Sequence, residues 1–127
     1  MKMLWKLSGL AALTALAVAA PASAHHSGAM FDHMKTVTLE GTVKEFHWLN
    51  PHASIEVMAP NAAGVMEDWS IECSTPNILV RKGWSLHSLS PGDKISMTMH
   101  PMKDGGHAGF VMVVTTPSGA QLKDHDY

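Results

Sequence analysis

The chain has 127 residues, nine Lys or Arg against eleven Asp or Glu, and a formal net charge of −2. That is enough for one small domain. The acidic balance, with no basic run outside the first residues, argues against a nucleic-acid or anionic-lipid surface. The single cysteine, Cys73, excludes an internal disulfide, and the unusual counts are nine His and ten Met.

Residues 1–24 have the build of a secretory signal peptide. Lys2 and Lys6 precede an apolar run over 7–20, and Ala22 and Ala24 stand three and one before a cut. The run is too short to span a bilayer comfortably, and no cysteine follows it to carry a lipid. The expected product is a periplasmic protein with no stable membrane insertion, whose first residue is His25. Cleavage removes Lys2 and Lys6 and leaves the mature chain more acidic.

Residues 25–35 lack a clear period and read as an N-terminal arm. In the first strand Val37, Leu39, Gly41 and Val43 share one parity, and Phe46 and Trp48 continue on the other. A bulge or bend near Lys44-Glu45, eased by Gly41, would return both sets to one face. Pro51 stops this strand. Ala53, Ile55 and Val57 mark a second strand, residues 60–64 a turn, and Trp69, Ile71 and Cys73 the inward face of a third. Ser74-Thr75-Pro76 and Gly83 supply start and stop signals for a short helix over 77–82. The turn at 90–93 leads into a fourth strand, with Ile95, Met97 and Met99 on one face and Ser96, Thr98 and His100 on the other. A turn at 104–106 returns the chain into a fifth strand over 107–116. The barrel is expected over 36–122 and a polar tail over 123–127.

The fold class is therefore all-β: a small five-stranded OB-fold-like barrel with one short helix between the third and fourth strands. A small open sandwich is the runner-up. OB barrels bind ligands on one face and in the loops joining strands one to two and four to five. Here those loops are 47–52 and 101–107, and both carry histidine.

The sharpest chemistry lies at the expected cut. The amine and imidazole of His25 can close a chelate ring on a metal, with His26 beside them. The alternative is a solvated chain end. His52 is the leading third donor, with His47 close in sequence, while the competing reading makes His52 a turn residue bonded to a backbone carbonyl. His100 and His107 flank the other loop, and Met102 is the thioether candidate. Met97 and Met99 read as core and Cys73 as a buried small hydrophobe. Asp32-His33 and Glu72 read as solvated charges, and His125 as part of the tail.

The stretches HHS at 25–27, FD at 31–32, GTVKEFHWLNPH at 41–52, GW at 83–84 and PGDK at 91–94 resemble a small exported bacterial family of unknown function, recognised by its HHS and NPH motifs. That resemblance implies a secreted single domain and brings no activity. A weaker, architectural one is to the periplasmic copper and silver carriers of efflux systems, which are five-stranded OB barrels with a Trp and an M-x-M pair. Met97-Thr98-Met99 is similar, yet it stands on the fourth strand rather than the third, so those ligands do not carry over. What that resemblance implies is copper as the metal to expect, with no ligand set.

No nucleophile motif or phosphate-cradling loop is present, so an enzyme is the weaker reading. The expectation is an exported module binding copper through His25 and loop histidines, with another periplasmic metal-handling protein as a partner. The alternative is a metal-free OB module that binds a ligand or a protein.

Overall fold

The structure, a computed structural model, describes residues 28–125. The expected signal peptide, the cut after Ala24, and His25 and His26 lie outside the described residues. The strands are β1 (Val37–His47), β2 (Ser54–Pro60), β3 (Met66–Glu72), β4 (Lys94–Pro101), β5 (Ala108–Thr115) and β6 (Gln121–Lys123), with α1 (Pro76–Arg81) between β3 and β4.

The parity switch expected in the first strand is realised as a change of partner. Residues 37–42 of β1 pair antiparallel with β4, residues 42–47 pair with β2, and the register slips between Val43 and Glu45. Gly41 stands at the crossing, where a Cβ would lie 2.5 Å from the Met58 carbonyl. The tight approach therefore requires glycine. β2 and β3 form the expected hairpin, β4 pairs with β5, and β3 runs parallel to β5 through Ser70↔Ala108 to Glu72↔Phe110. That last pairing closes the barrel in the OB order and leaves no open edge between β3 and β5.

Alternation along the strands fills the interior. Val43, Ile55, Val57, Ile71, Cys73, Ile95, Met97, Met99, Val111 and Val114 are buried, and Val37, Leu39, Phe46, Trp48 and Trp69 pack against them half-buried. The helix has Thr75 at its N-cap and Pro76 in the first turn, where a missing N–H costs nothing. It ends as a Schellman motif: Trp84 N–H donates to the Leu79 carbonyl, Gly83 N–H donates to that of Val80, and Gly83 takes φ +89°. Leu79, Trp84 and Leu89 are buried in the same core, so the helix and the loop after it cover part of the barrel.

Two expectations are corrected. The expected five strands are joined by a sixth over Gln121–Lys123, paired with β5 through Val114↔Leu122, so that Lys123, expected to open the polar tail, ends a strand and is followed by a buried Asp124. Its anchors are main-chain groups that a polar sequence does not announce. Asp124 Oδ2 accepts from Ser74 N–H at 2.7 Å, Trp84 Nε1–H donates to the Lys123 carbonyl at 2.9 Å, and the Lys82 ammonium donates to the Asp124 carbonyl. His100, expected on the outer face, is only 2% exposed. The N-terminal arm covers it: Asp32 N–H donates to the Pro101 carbonyl, Phe31 bridges Met102, and His100 Nδ1 lies 2.7 Å from the Lys35 carbonyl.

Candidate functional site

The structure gives each expected loop histidine its own partner. His47 Nε2 lies 3.1 Å from Glu45 Oε2 on the outer side of β1. His52 Nδ1 donates to the Cys73 carbonyl at 3.1 Å and lies 3.6 Å from Glu72 Oε1. His107 stacks on Trp69 at 4.9 Å between ring centroids, with its Nε2 3.2 Å from Glu67. His52 and His107 thus both lie along β3, but their partners are three to six residues apart, about 10–20 Å along a strand. Met102 is held by its bridge to Phe31. Met97 and Met99, each 1% exposed, are core residues. Among the described residues no group of three His, Cys, Asp or Glu side chains is arranged to hold a metal ion.

What the fold does gather is a different set of imidazoles. His100 and Phe110 are register partners across β4 and β5, and the arm lies over them. Phe31 meets Phe110 edge to face at 5.7 Å, and His33 meets His100 edge to face at 5.1 Å. From the other end of the chain His125 stands on Phe110 at 4.9 Å. Gly28, His33, Phe110 and His125 line a pocket of about 220 Å³. His33 and His125 are the residues that sequence reasoning missed, one read as solvated and the other as tail. No spacing signal links positions 33, 100 and 125, because an arm and a sixth strand bring them together.

Hydrogen bonds fix how two of these rings carry their protons. A carbonyl oxygen only accepts, so His100 donates from Nδ1 to Lys35 and His33 donates from Nε2 to Gly28 at 2.8 Å. In each neutral ring the lone pair then sits on the other nitrogen, His100 Nε2 and His33 Nδ1. Burial pushes the His125 imidazole below its ordinary value. Asp124 opposes that shift, while Lys82, His100 and His33 reinforce it.

Cys73 is fully buried, and burial first, then the charges of Asp124 and Glu72, push its thiol well above the ordinary range. A thiolate ligand or nucleophile there is disfavoured. A second groove of about 400 Å³ is lined by Pro51, His52, Ser54, Ser70, Glu72 and Ala108. It lies on the outer side of β2 and β3, where Ser70 Oγ donates to Glu56 at 3.0 Å.

Among curated proteins none matches this chain. Among solved structures it is similar to the mitochondrial single-stranded DNA binding protein Rim1 from S. cerevisiae. The TM-score is 0.48 at 10% identity, over 72% of this chain and 96% of that one. A family of unknown function, DUF6152, matches residues 12–111, from the apolar N-terminal run to the middle of β5. With most of its length matched, the chain belongs to that family.

Proposed function

We propose that the protein is an exported binding module that holds copper through the amine and imidazole of a mature N-terminal His25. The observation that carries this reading is the position of Gly28 in the wall of the imidazole-lined pocket. A terminus created at His25 is three residues from Gly28, within about 10 Å of it at full extension. The donors are borderline nitrogen ligands, which suit copper and, in second place, zinc. His26 stands one residue closer, and His100 is the expected loop histidine that this end of the chain reaches. Export to the periplasm and delivery to or from another metal-handling protein belong to the same reading.

The test compares processed protein with a version carrying one Met before His25. The extension keeps every side chain and turns the amine into an amide, a poor ligand. Copper affinity, read by competition with a chromophoric chelator, is expected to fall by about tenfold or more on extension. Equal affinity removes the amine from the site. The groove around His52 and Glu72 favours a second reading, a metal-free module whose ligand engages an imidazole and a carboxylate. That reading predicts that mutations at His52 disturb function without changing metal content.

A further inference from the structure

The groove on the outer side of β2 and β3 is built almost wholly of hydrogen-bond acceptors. We propose, resting on the metal-free reading of this groove, that it binds a guanidinium group, with Glu72 as its anchor and His52 and Ser70 as further acceptors.

Glu72 carries the assignment. Its side chain is only 24% exposed, yet it accepts no hydrogen bond from any described residue, and its one ion-pair partner among them is the His52 ring at 3.6 Å. A carboxylate withdrawn from water to that degree is ordinarily paired or hydrogen-bonded. The neighbouring donors are turned elsewhere. His52 gives its Nδ1–H to the Cys73 carbonyl, which leaves Nε2 as the acceptor of the neutral ring. Ser70 gives its hydroxyl proton to Glu56, which leaves its oxygen with lone pairs alone. Ser54 can accept as well as donate. Neither lysine nor arginine is among the described residues that line the groove. A ligand seated there must therefore bring donors and positive charge.

The layout selects between cationic groups. Ser54 faces Glu72 across β2 and β3, about 5 Å away in the ladder. Ser70 stands two residues from Glu72 on the same face, about 7 Å along the strand. Its partner on β5 is Ala108, which adds only a methyl at that end of the groove. The three donors of an ammonium radiate from one atom, so the acceptors it bridges lie within about 6 Å of each other. A guanidinium spreads five donors over a planar fork, pairs bidentately with a carboxylate, and keeps N–H groups directed away from it. It can grip Glu72 by one edge and reach His52 Nε2 or Ser70 with the other. A groove of about 400 Å³ admits such a group with part of its alkyl stem. Two sources carry this chemistry, a free guanidino compound and an arginine side chain of another exported protein.

The experiment titrates isotope-labelled processed protein with arginine amide and with a glycine-flanked arginine tripeptide. Lysine amide, acetate and glucose are the comparison probes. Amide shifts of Ser54, Ser70, Glu72 and Ala108 report the groove, and those of Glu45 and Asp68 report exposed carboxylates elsewhere on the barrel. Arginine amide is expected to move the groove set saturably and to bind about fivefold or more tightly than lysine amide. Glu72→Gln, which keeps the side-chain volume, is expected to weaken it by about tenfold or more, and His52→Ala by about threefold or more. Asp68→Asn, outside the groove, is expected to stay within about twofold of wild type. Tighter binding of the tripeptide identifies a protein segment as the source, and equal binding identifies the free compound. Thermal melts of the unliganded variants separate loss of a contact from loss of fold.

Equal affinity for arginine amide in wild type and Glu72→Gln would overturn the guanidinium assignment, as would lysine amide binding as tightly as arginine amide. If acetate or glucose moves the groove set instead, and His52→Ala abolishes the effect, the guanidinium fails while the metal-free ligand site stands. Groove amides unmoved by every probe overturn both and leave the copper reading in place.

Discussion

Gly41→Ala is the sharpest test of how the barrel is built. The new methyl would sit 2.5 Å from the Met58 carbonyl oxygen, 2.6 Å from Val57 Cγ1 and 3.1 Å from Ala59 Cβ, against an ordinary contact of 3.4 Å or more. The nearest atom is backbone, so β2 must retreat by about 0.9 Å where β1 changes partner. Overpacking of this kind costs about 1–3 kcal/mol, and each ladder bond loosened at Thr42 and Met58 adds about 1 kcal/mol. Alanine returns about 0.5–1 kcal/mol through the unfolded chain. The net loss of about 2–4 kcal/mol lowers Tm by about 10–30 °C in a domain of this size. Circular dichroism melts measure it. Gly105→Ala is the comparison, since Gly105 has φ +78° with nothing within 4 Å, and strain alone costs about 1–2 kcal/mol. A Gly41→Ala midpoint within a degree or two of wild type would refute the close crossing of β1 and β2.

Three further outcomes follow from the packing. Ile71→Ala, at a fully buried position facing Ile55 and Gly109, is expected to lose about 2–5 kcal/mol in urea unfolding; an unchanged midpoint would place Ile71 on the outer face. Asp124→Ala leaves the Ser74 N–H buried without its acceptor and is expected to cost about 1–3 kcal/mol, which a stability equal to wild type would contradict. The raised Cys73 thiol gives a pH signature. Above its ordinary value of 9.0 the unfolded chain releases that proton while the fold keeps it, so stability falls as pH rises beyond 9. Cys73→Ala should remove that part of the slope, and native protein should resist thiol reagents until it unfolds; labelling of the native state at pH 8 would contradict the burial.

The barrel was legible because its elements carry local signals. Alternation over Ile55 and Val57, or Trp69 and Ile71, needs nothing beyond the strand itself, and the parity slip after Val43 marks where β1 bends. Thr75-Pro76 and Gly83 bracket the helix in the same local way. β6 was not legible, since Leu122 is its only apolar residue and its pairing depends on β5 being present. His100 carried a correct face assignment yet proved buried, because the cover comes from residues 31–35, far away in sequence. The candidate site was hidden for the same reason. His52 and His107 drew attention by standing in the two loops an OB barrel uses, whereas His33 and His125 acquire meaning only once Phe110 lies between the ends.

The two ends of the described chain meet at Phe110, with Gly28 and His125 in one pocket wall almost the whole domain apart in sequence. Contacts of that span are the last to be repaid in assembly, because closing the loop must await β5 and β6. They are also held by a small number of main-chain and side-chain bonds on the outside of a finished barrel, so they open without global unfolding. Amide hydrogens in the arm and β6 should therefore exchange well before those of β2, β3 and β4. The pocket is a clasp between beginning and end, the last part of the molecule to close and the first to come undone.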